Sequence, residues 1–195
     1  LAVSKTRTCD EINKALKTGQ LDFGENYLQE ALSKIRYFND PKIRWHFIGP
    51  IQSNKTQDIA KNFTWAHSVD REKIAERLNK QRPEGNPPLN ICLQINISQE
   101  TSKSGLSVEN ALDFANKFHR WRNLKLRGLM TLPLPTTQFE LQASQFRKLA
   151  QLYKFLRSAG HPLDTLSMGT SADMEAAIAE GATIVRIGTA IFGAR

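Results

Sequence analysis

The strongest constraint in this chain is an alternation. Eight short runs of apolar or β-branched residues stand at 1–5, 21–25, 45–49, 65–69, 90–97, 124–132, 165–169 and 183–188. Segments whose apolar residues recur at helical spacing fill the gaps between them. Runs of strand length without a polar face are what a parallel sheet covered on both sides requires. The helical stretches are equally legible. Residues 11–16 lead to Gly19, a C-terminal stop; Tyr27, Leu28, Ala31, Leu32 and Ile35 repeat at helical spacing; Ile74, Ala75 and Leu78 follow Asp70, which could cap them. Further on, Ala111, Leu112, Ala115 and Phe118 form a fourth face. Phe146, Leu149, Ala150, Tyr153 and Leu156 form a long one, and residues 172–179 close at Gly181. Strands alternating with helices exclude an all-β or all-α fold.

Two architectures meet that pattern. A doubly wound sheet usually carries a glycine-rich phosphate fingerprint after its first strand. Here the first run ends Ser4-Lys5-Thr6 with no such glycines. An eight-stranded α/β barrel fits the count directly, so the expected fold is a single (β/α)8 TIM-type barrel. At 195 residues it is compact beside the roughly 250 of a typical barrel. The proline-rich stretches 82–88 and 132–138 suit surface loops rather than a linker. The expectation is one domain over residues 1–195, short of a helix at its N-terminus.

Composition narrows the setting. No apolar run approaches the roughly 20 residues of a membrane helix, and no signal-peptide pattern opens the chain. Cys9 and Cys92 form no metal-ligand spacing, so two buried thiols in a reducing cytoplasm are expected. The net charge of +8 is spread over helices at Lys14, Lys17, Lys34, Arg36, Lys117 and Arg120. That is a solvated surface, not a nucleic-acid patch, although it would attract a phosphorylated small molecule. Nothing marks an interface, and a monomer is expected.

In a barrel the chemistry sits where the strands end. Lys5 shares a strand face with Val3, by the period of two. With Val3 inward, the Lys5 amine stands in the barrel mouth, where it could attack a carbonyl; a lysine snorkelling to solvent is the alternative. The seventh run ends Ser167-Met168-Gly169-Thr170-Ser171 before a helix, and the eighth ends Arg186-Ile187-Gly188-Thr189. Barrels often hold phosphate at these two places, on backbone N–H groups. Thr170 with Asp173 three residues later could also be a plain capping box, and Gly188 a plain tight turn. Arg186 points inward and needs an acceptor. A pyridine nitrogen and the carboxylate of Glu25 are the candidates.

These blocks together resemble a known family. Val3-Ser4-Lys5-Thr6, Phe23-Gly24-Glu25-Asn26-Tyr27, residues 45–55 from Trp45-His46 to Asn54-Lys55, and His67-Ser68-Val69-Asp70 are similar to the pyridoxal phosphate homeostasis proteins of the YggS/PROSC type. So are Gln94-Ile95-Asn96-Ile97, Ser102-Lys103-Ser104-Gly105, Arg127-Gly128-Leu129-Met130, Leu166-Ser167-Met168-Gly169 and residues 185–193. The resemblance runs from Val3 to Arg195. It implies a barrel like the N-terminal domain of alanine racemase and pyridoxal 5′-phosphate held as a Schiff base on Lys5. It implies phosphate contacts from Ser167, Gly169, Thr170, Ser171, Gly188 and Thr189, Arg186 at the pyridine nitrogen, and Asn26 and His46 beside the ring. A cation at that nitrogen weakens the ring as an electron sink. Members usually have a further helix before Leu1, and many carry another residue at Thr170.

The family implies a carrier that buffers the cofactor or delivers it to recipient apoenzymes, without robust catalysis. The alternative is an amino-acid racemase with Lys5 as its base. Racemisation needs a second base on the opposite face, and Tyr27, Tyr37 and Tyr153 all fall on expected helices. Lys55 and Lys103 are lesser candidates for accepting the cofactor, and solvated loop lysines serve equally well as a reading of them.

Overall fold

The structure of the chain, a computed structural model, describes residues 1–98 and 104–194. Lys103 and Ser102 lie outside the described residues. Seven strands form one parallel sheet in sequence order, each hydrogen-bonded to the next. They are β1 (Ala2–Val3), β2 (Asp22–Glu25), β3 (Arg44–Phe47), β4 (Trp65–Val69), β5 (Leu89–Gln94), β6 (Leu124–Met130) and β7 (Thr165–Ser167). Helices return the chain between them: α1 (Cys9–Lys17), α2 (Leu28–Phe38), α3 (Thr56–Asn62), α4 (Glu72–Gln81), α5 (Ala111–Asn116), α6 (Phe139–Ser158), α7 (Met174–Ala179) and α8 (Thr189–Phe192).

The eighth run is not a regular strand, which corrects the expectation of eight equal staves. Residues 184–187 instead make two isolated parallel bridges, Ile184 to Ser167 and Ile187 to Ala2. Val3 donates to Ile187 (2.8 Å), Ile187 to Leu1 (2.9 Å) and Met168 to Ile184 (3.1 Å), so both edges of the sheet bond to this segment. Between the two bridges the Arg186 N–H is diverted to the Gly169 carbonyl (2.9 Å), which interrupts the ladder. The result is a TIM-like arrangement of seven strands.

Local chemistry explains the elements. Thr8 caps α1 in a full capping box with Glu11, and Ile12 is fully buried beneath it. Asp70 does not cap α4; Arg71 holds the N-cap position and draws the Asp70 carboxylate to itself (2.7 Å). Helix α3 escapes a periodicity reading because its apolar residues are only Ile59 and Ala60. Gly128 has no room for a side chain, since a Cβ there would come 1.7 Å from the Thr165 carbonyl on β7. The main apolar core joins the sheet to the helices, from Ile12 and Phe23 through Phe47, Ile91 and Leu129 to Phe146 and Leu166. A second, small cluster of Trp65, Cys92 and Met130 is separate from it and fills the inside of the curved sheet beside His46 and His67. Both cysteines are free; Cys92 is buried, and Cys9 is only half-buried where burial was expected. No helix among the described residues is long and apolar enough to cross a membrane, and no group of three or more metal-ligating side chains occurs among them.

Candidate functional site

A cavity of about 370 Å³ opens where β1, β2 and β7 end, within the usual range for small-ligand sites. Its walls are Lys5, Asn26, Thr170, Ser171, Arg186, Gly188 and Thr189, together with Val3, Arg7, Ile48, Leu132 and Ala172. Seven of the ten residues nominated from sequence therefore converge. The structure puts the other three elsewhere: His46 and Ser167 are buried one layer below, and Gly169 does not face the cavity. Gly169 has a positive φ of 92°, and a Cβ there would meet that of Ala177 at 2.5 Å, so packing alone demands glycine. Lys55 is half-buried in a 3-10 turn away from the cavity wall. Arg7 was not nominated. No strand parity points to it, because β1 ends at Val3 and the chain turns at Lys5 and Thr6.

The cavity is rich in uncommitted donors. Lys5 is half-buried, and its amine has no hydrogen-bond or ion-pair partner among the described residues. The N–H groups of Ser171, Ala172, Gly188 and Thr189 likewise reach no protein acceptor among the described residues. At Gly188 a Cβ would make only ordinary contacts, 3.5 Å from the Val3 carbonyl, so its bareness serves the cavity rather than the packing. Thr170 is partly spent: its N–H and hydroxyl both donate to Asp173 Oδ1 (2.6 and 2.7 Å). That is half of the expected capping box, and α7 begins only after Asp173. Asn26 Oδ1 is a buried acceptor with no partner, the kind of atom that a bound ligand satisfies.

The turn that carries Lys5 is clamped from beneath. Lys34, buried on α2, donates to the Ser4 carbonyl (2.6 Å) and to Glu25 Oε1 (2.7 Å), and also bonds Glu30. The Ser4 hydroxyl donates to the same Glu25 oxygen (2.6 Å), and the Thr6 N–H to Glu30 Oε1 (2.5 Å). Thr6 sits at φ 63°, an unfavourable backbone for a β-branched residue. Lys5 is thus flanked by two residues pinned to a buried ion cluster. Glu25 belongs to that cluster and makes no contact with Arg186, which removes it as the arginine's acceptor. Burial pushes the Glu25 carboxyl above its usual range, opposed by the hydrogen bonds from Lys34 and Ser4.

Arg186, buried, finds its protein acceptors in Ser167 Oγ (3.0 Å from Nη1) and the Thr131 carbonyl (2.9 Å from Nη2). Beyond Ser167 a chain continues: Ser167 Oγ to His67 Nδ1 (2.8 Å), His67 Nε2 to His46 Nδ1 (3.0 Å), and His46 Nε2 to Asp22 Oδ1 (3.1 Å). The His46 ring also stacks on Trp65 at 5.3 Å. Burial lowers the pKa of both imidazoles, which favours the neutral rings. For Asp22, burial pulls upward, but hydrogen bonds from Arg44 (2.6 and 2.5 Å) and His46 prevail and hold the carboxyl far below its ordinary range. A carboxylate with a depressed folded pKa adds stability above its unfolded value of about 4, which is lost as pH falls below it. Asp22→Asn is therefore expected to lower stability at pH 7 by about 1 kcal/mol and to flatten the decline below pH 4. Urea melts across that range would show it; an unchanged acid limb would refute the assignment.

The fold and the pocket define a class. Residues 2–195 match the alanine racemase N-terminal domain family, and the alanine racemase of Clostridium difficile shares the fold with a TM-score of 0.76 at 16% identity. Within that class the chain belongs to the family of the pyridoxal phosphate homeostasis proteins. The protein of that name from Pseudomonas aeruginosa is 56% identical over 195 residues, covering 100% of this chain and 84% of the relative. The Escherichia coli one is 50% identical over 198 residues, covering 100% and 85%. The structure of PipY from Synechococcus elongatus, solved with PLP bound, is 33% identical with a TM-score of 0.89, covering 99% of this chain and 91% of that one.

Proposed function

We propose that this chain binds pyridoxal 5′-phosphate in the cavity at Lys5 and carries or buffers it without robust catalysis. The observation that carries the reading is convergence. A free amine, four unused backbone N–H groups, a partnerless buried carbonyl oxygen and a buried guanidinium line one cavity of about 370 Å³. That donor set fits the group. The amine suits its aldehyde, the N–H groups of Ser171, Ala172, Gly188 and Thr189 suit its phosphate, and Arg186 suits its ring nitrogen. Arg7, with Nη2 on the Gly193 carbonyl at 2.5 Å, adds a second positive charge to the mouth. When bound, the cofactor supplies an electrophilic aldehyde on an electron-withdrawing ring.

Lys5 would hold the aldehyde, and the clamp of Ser4 and Thr6 would orient it. Arg186 donates and does not accept, so it would leave the ring nitrogen without a proton. Among the described residues no Tyr, His, Asp or Glu lines the cavity as a second base. Tyr27 and Tyr37 are exposed, and Tyr153 donates to the Leu163 carbonyl (3.0 Å); none of the three lines the cavity. This argues for a carrier rather than a racemase. We read residues 1–195 as one cofactor-binding barrel domain, with the segment 184–187 as its reduced eighth stave. We read the protein as a cytoplasmic monomer that hands the cofactor to apoenzymes.

Titrating the cofactor-free protein with pyridoxal phosphate tests the reading. A saturable near-visible band is expected, with no interconversion of L- and D-alanine above background. No band at saturating cofactor overturns the binding site; sustained turnover overturns the carrier.

A further inference from the structure

We propose that Ser167, His67 and His46 form a one-way hydrogen-bond chain inside the barrel that fixes the Arg186 guanidinium beneath the cavity and ties it to Asp22 at the opposite end. The inference rests on the cofactor reading above and extends it to residues that do not touch the cavity.

The direction follows from the two ends. Asp22, ionised and gripped by Arg44, only accepts, so His46 Nε2 must carry its proton. A neutral His46 then presents a lone pair at Nδ1, which accepts from His67 Nε2–H. Neutral His67 in turn presents a lone pair at Nδ1, which accepts the Ser167 hydroxyl. Ser167 Oγ is left to accept from Arg186, a group that only donates. Every proton is placed. Reversing the chain would set the His46 lone pair against the Asp22 carboxylate and leave the Ser167 hydroxyl proton with no acceptor among the described residues. The charged groups facing the rings are Asp22, Arg44, the Leu1 amino group and Arg186.

The consequence is positional. With Nη1 on Ser167 and Nη2 on the Thr131 carbonyl, the guanidinium plane cannot rotate, and its remaining N–H groups are aimed by the chain rather than by the ligand. Ser167, His67 and His46 are therefore positioning residues. Because coupling is reciprocal, whatever takes a hydrogen bond from Arg186 is felt at the two rings.

Nitrogen-15 NMR of the imidazoles in the cofactor-free wild-type protein tests the chain directly. Both His46 and His67 are expected as neutral Nε2–H tautomers at pH 7 and above. An Nδ1–H tautomer or a cationic ring at either position at pH 7 overturns the chain, and this reading needs no variant. Ser167→Ala then tests the role. Its His67 Nδ1 resonance should move to that of a lone pair without a hydrogen bond, and its affinity for pyridoxal phosphate should fall roughly tenfold to a hundredfold, the scale of a hydrogen bond to a charged group. A folded Ser167→Ala protein with wild-type affinity overturns the role. Should the wild type bind no pyridoxal phosphate while both rings are Nε2–H, the cofactor reading fails and the chain stands without that role. Should it bind while the rings are otherwise, the chain fails and the cofactor reading stands.

Discussion

Lys5→Ala is expected to abolish covalent retention of pyridoxal phosphate. The near-visible band should vanish, and borohydride should fix no cofactor, as read by the absorbance of the desalted protein and by its intact mass. The expectation follows from the cavity's inventory. Lys5 is the lysine that lines it, its amine is uncommitted among the described residues, and its neighbours Ser4 and Thr6 are tied down. The phosphate donors survive the change, because they are backbone N–H groups of residues 171, 172, 188 and 189. The variant should therefore still bind the cofactor reversibly, as free aldehyde, with lower affinity. Retention and binding thus separate in one protein. Fixation that persists in Lys5→Ala would sink the assignment, and peptide mapping would then show whether Lys55 or Lys103 is the acceptor.

Much of this was legible in the sequence because a barrel is a repetitive object. A strand covered on both sides is mostly apolar, so the run at 90–97 announces itself most strongly. Each helix must present one apolar stripe, and Ile74, Ala75 and Leu78 do so plainly. Lys5, Arg186, Gly188 and Thr189 were legible because barrel chemistry gathers at strand ends. What failed to show has physical causes. The eighth run has the composition of a strand, but its pairing is set by where β7 and β1 end in space, which no local pattern records. Helix α3 buries too few apolar residues to show a period. His46 is a site residue only by the family resemblance; its partners in the structure, Asp22 and His67, lie on neighbouring strands 24 and 21 residues away. The Lys34 cluster was invisible for the same reason. A lysine on an amphipathic helix normally faces water, and only the packing of α2 on β1 and β2 reveals that Lys34 is 4% exposed.

That burial sets the second large effect. Lys34→Met is expected to cost about 3–5 kcal/mol, the scale for removing one partner of a buried ion pair. The cost is a large share of the 5–15 kcal/mol that holds a typical domain together. Glu25 is fully buried, and its Oε2 already lacks a partner. Without Lys34 its charge is left with the Ser4 hydroxyl alone, and the Ser4 carbonyl and Glu30 lose a donor as well. The pH dependence has a definite sign. Burial already raises the folded pKa of Glu25, and losing the ammonium raises it further. A carboxyl with a raised folded pKa stabilises the fold below its unfolded value of about 4.3 and loses that contribution as pH rises through the folded value. The deficit of Lys34→Met should therefore be smaller at pH 5 than at pH 8 in urea melts. Adding Glu25→Gln should recover most of the loss at pH 8, because the uncompensated charge is gone. A deficit that grows toward acid, or a double variant no better than the single one, would show that the cluster does not work through Glu25. The clamp also links stability to the site. A Lys34→Met protein that remains folded at pH 5 should hold pyridoxal phosphate less tightly than wild type, because the carbonyl of Ser4, the residue before Lys5, has lost its anchor.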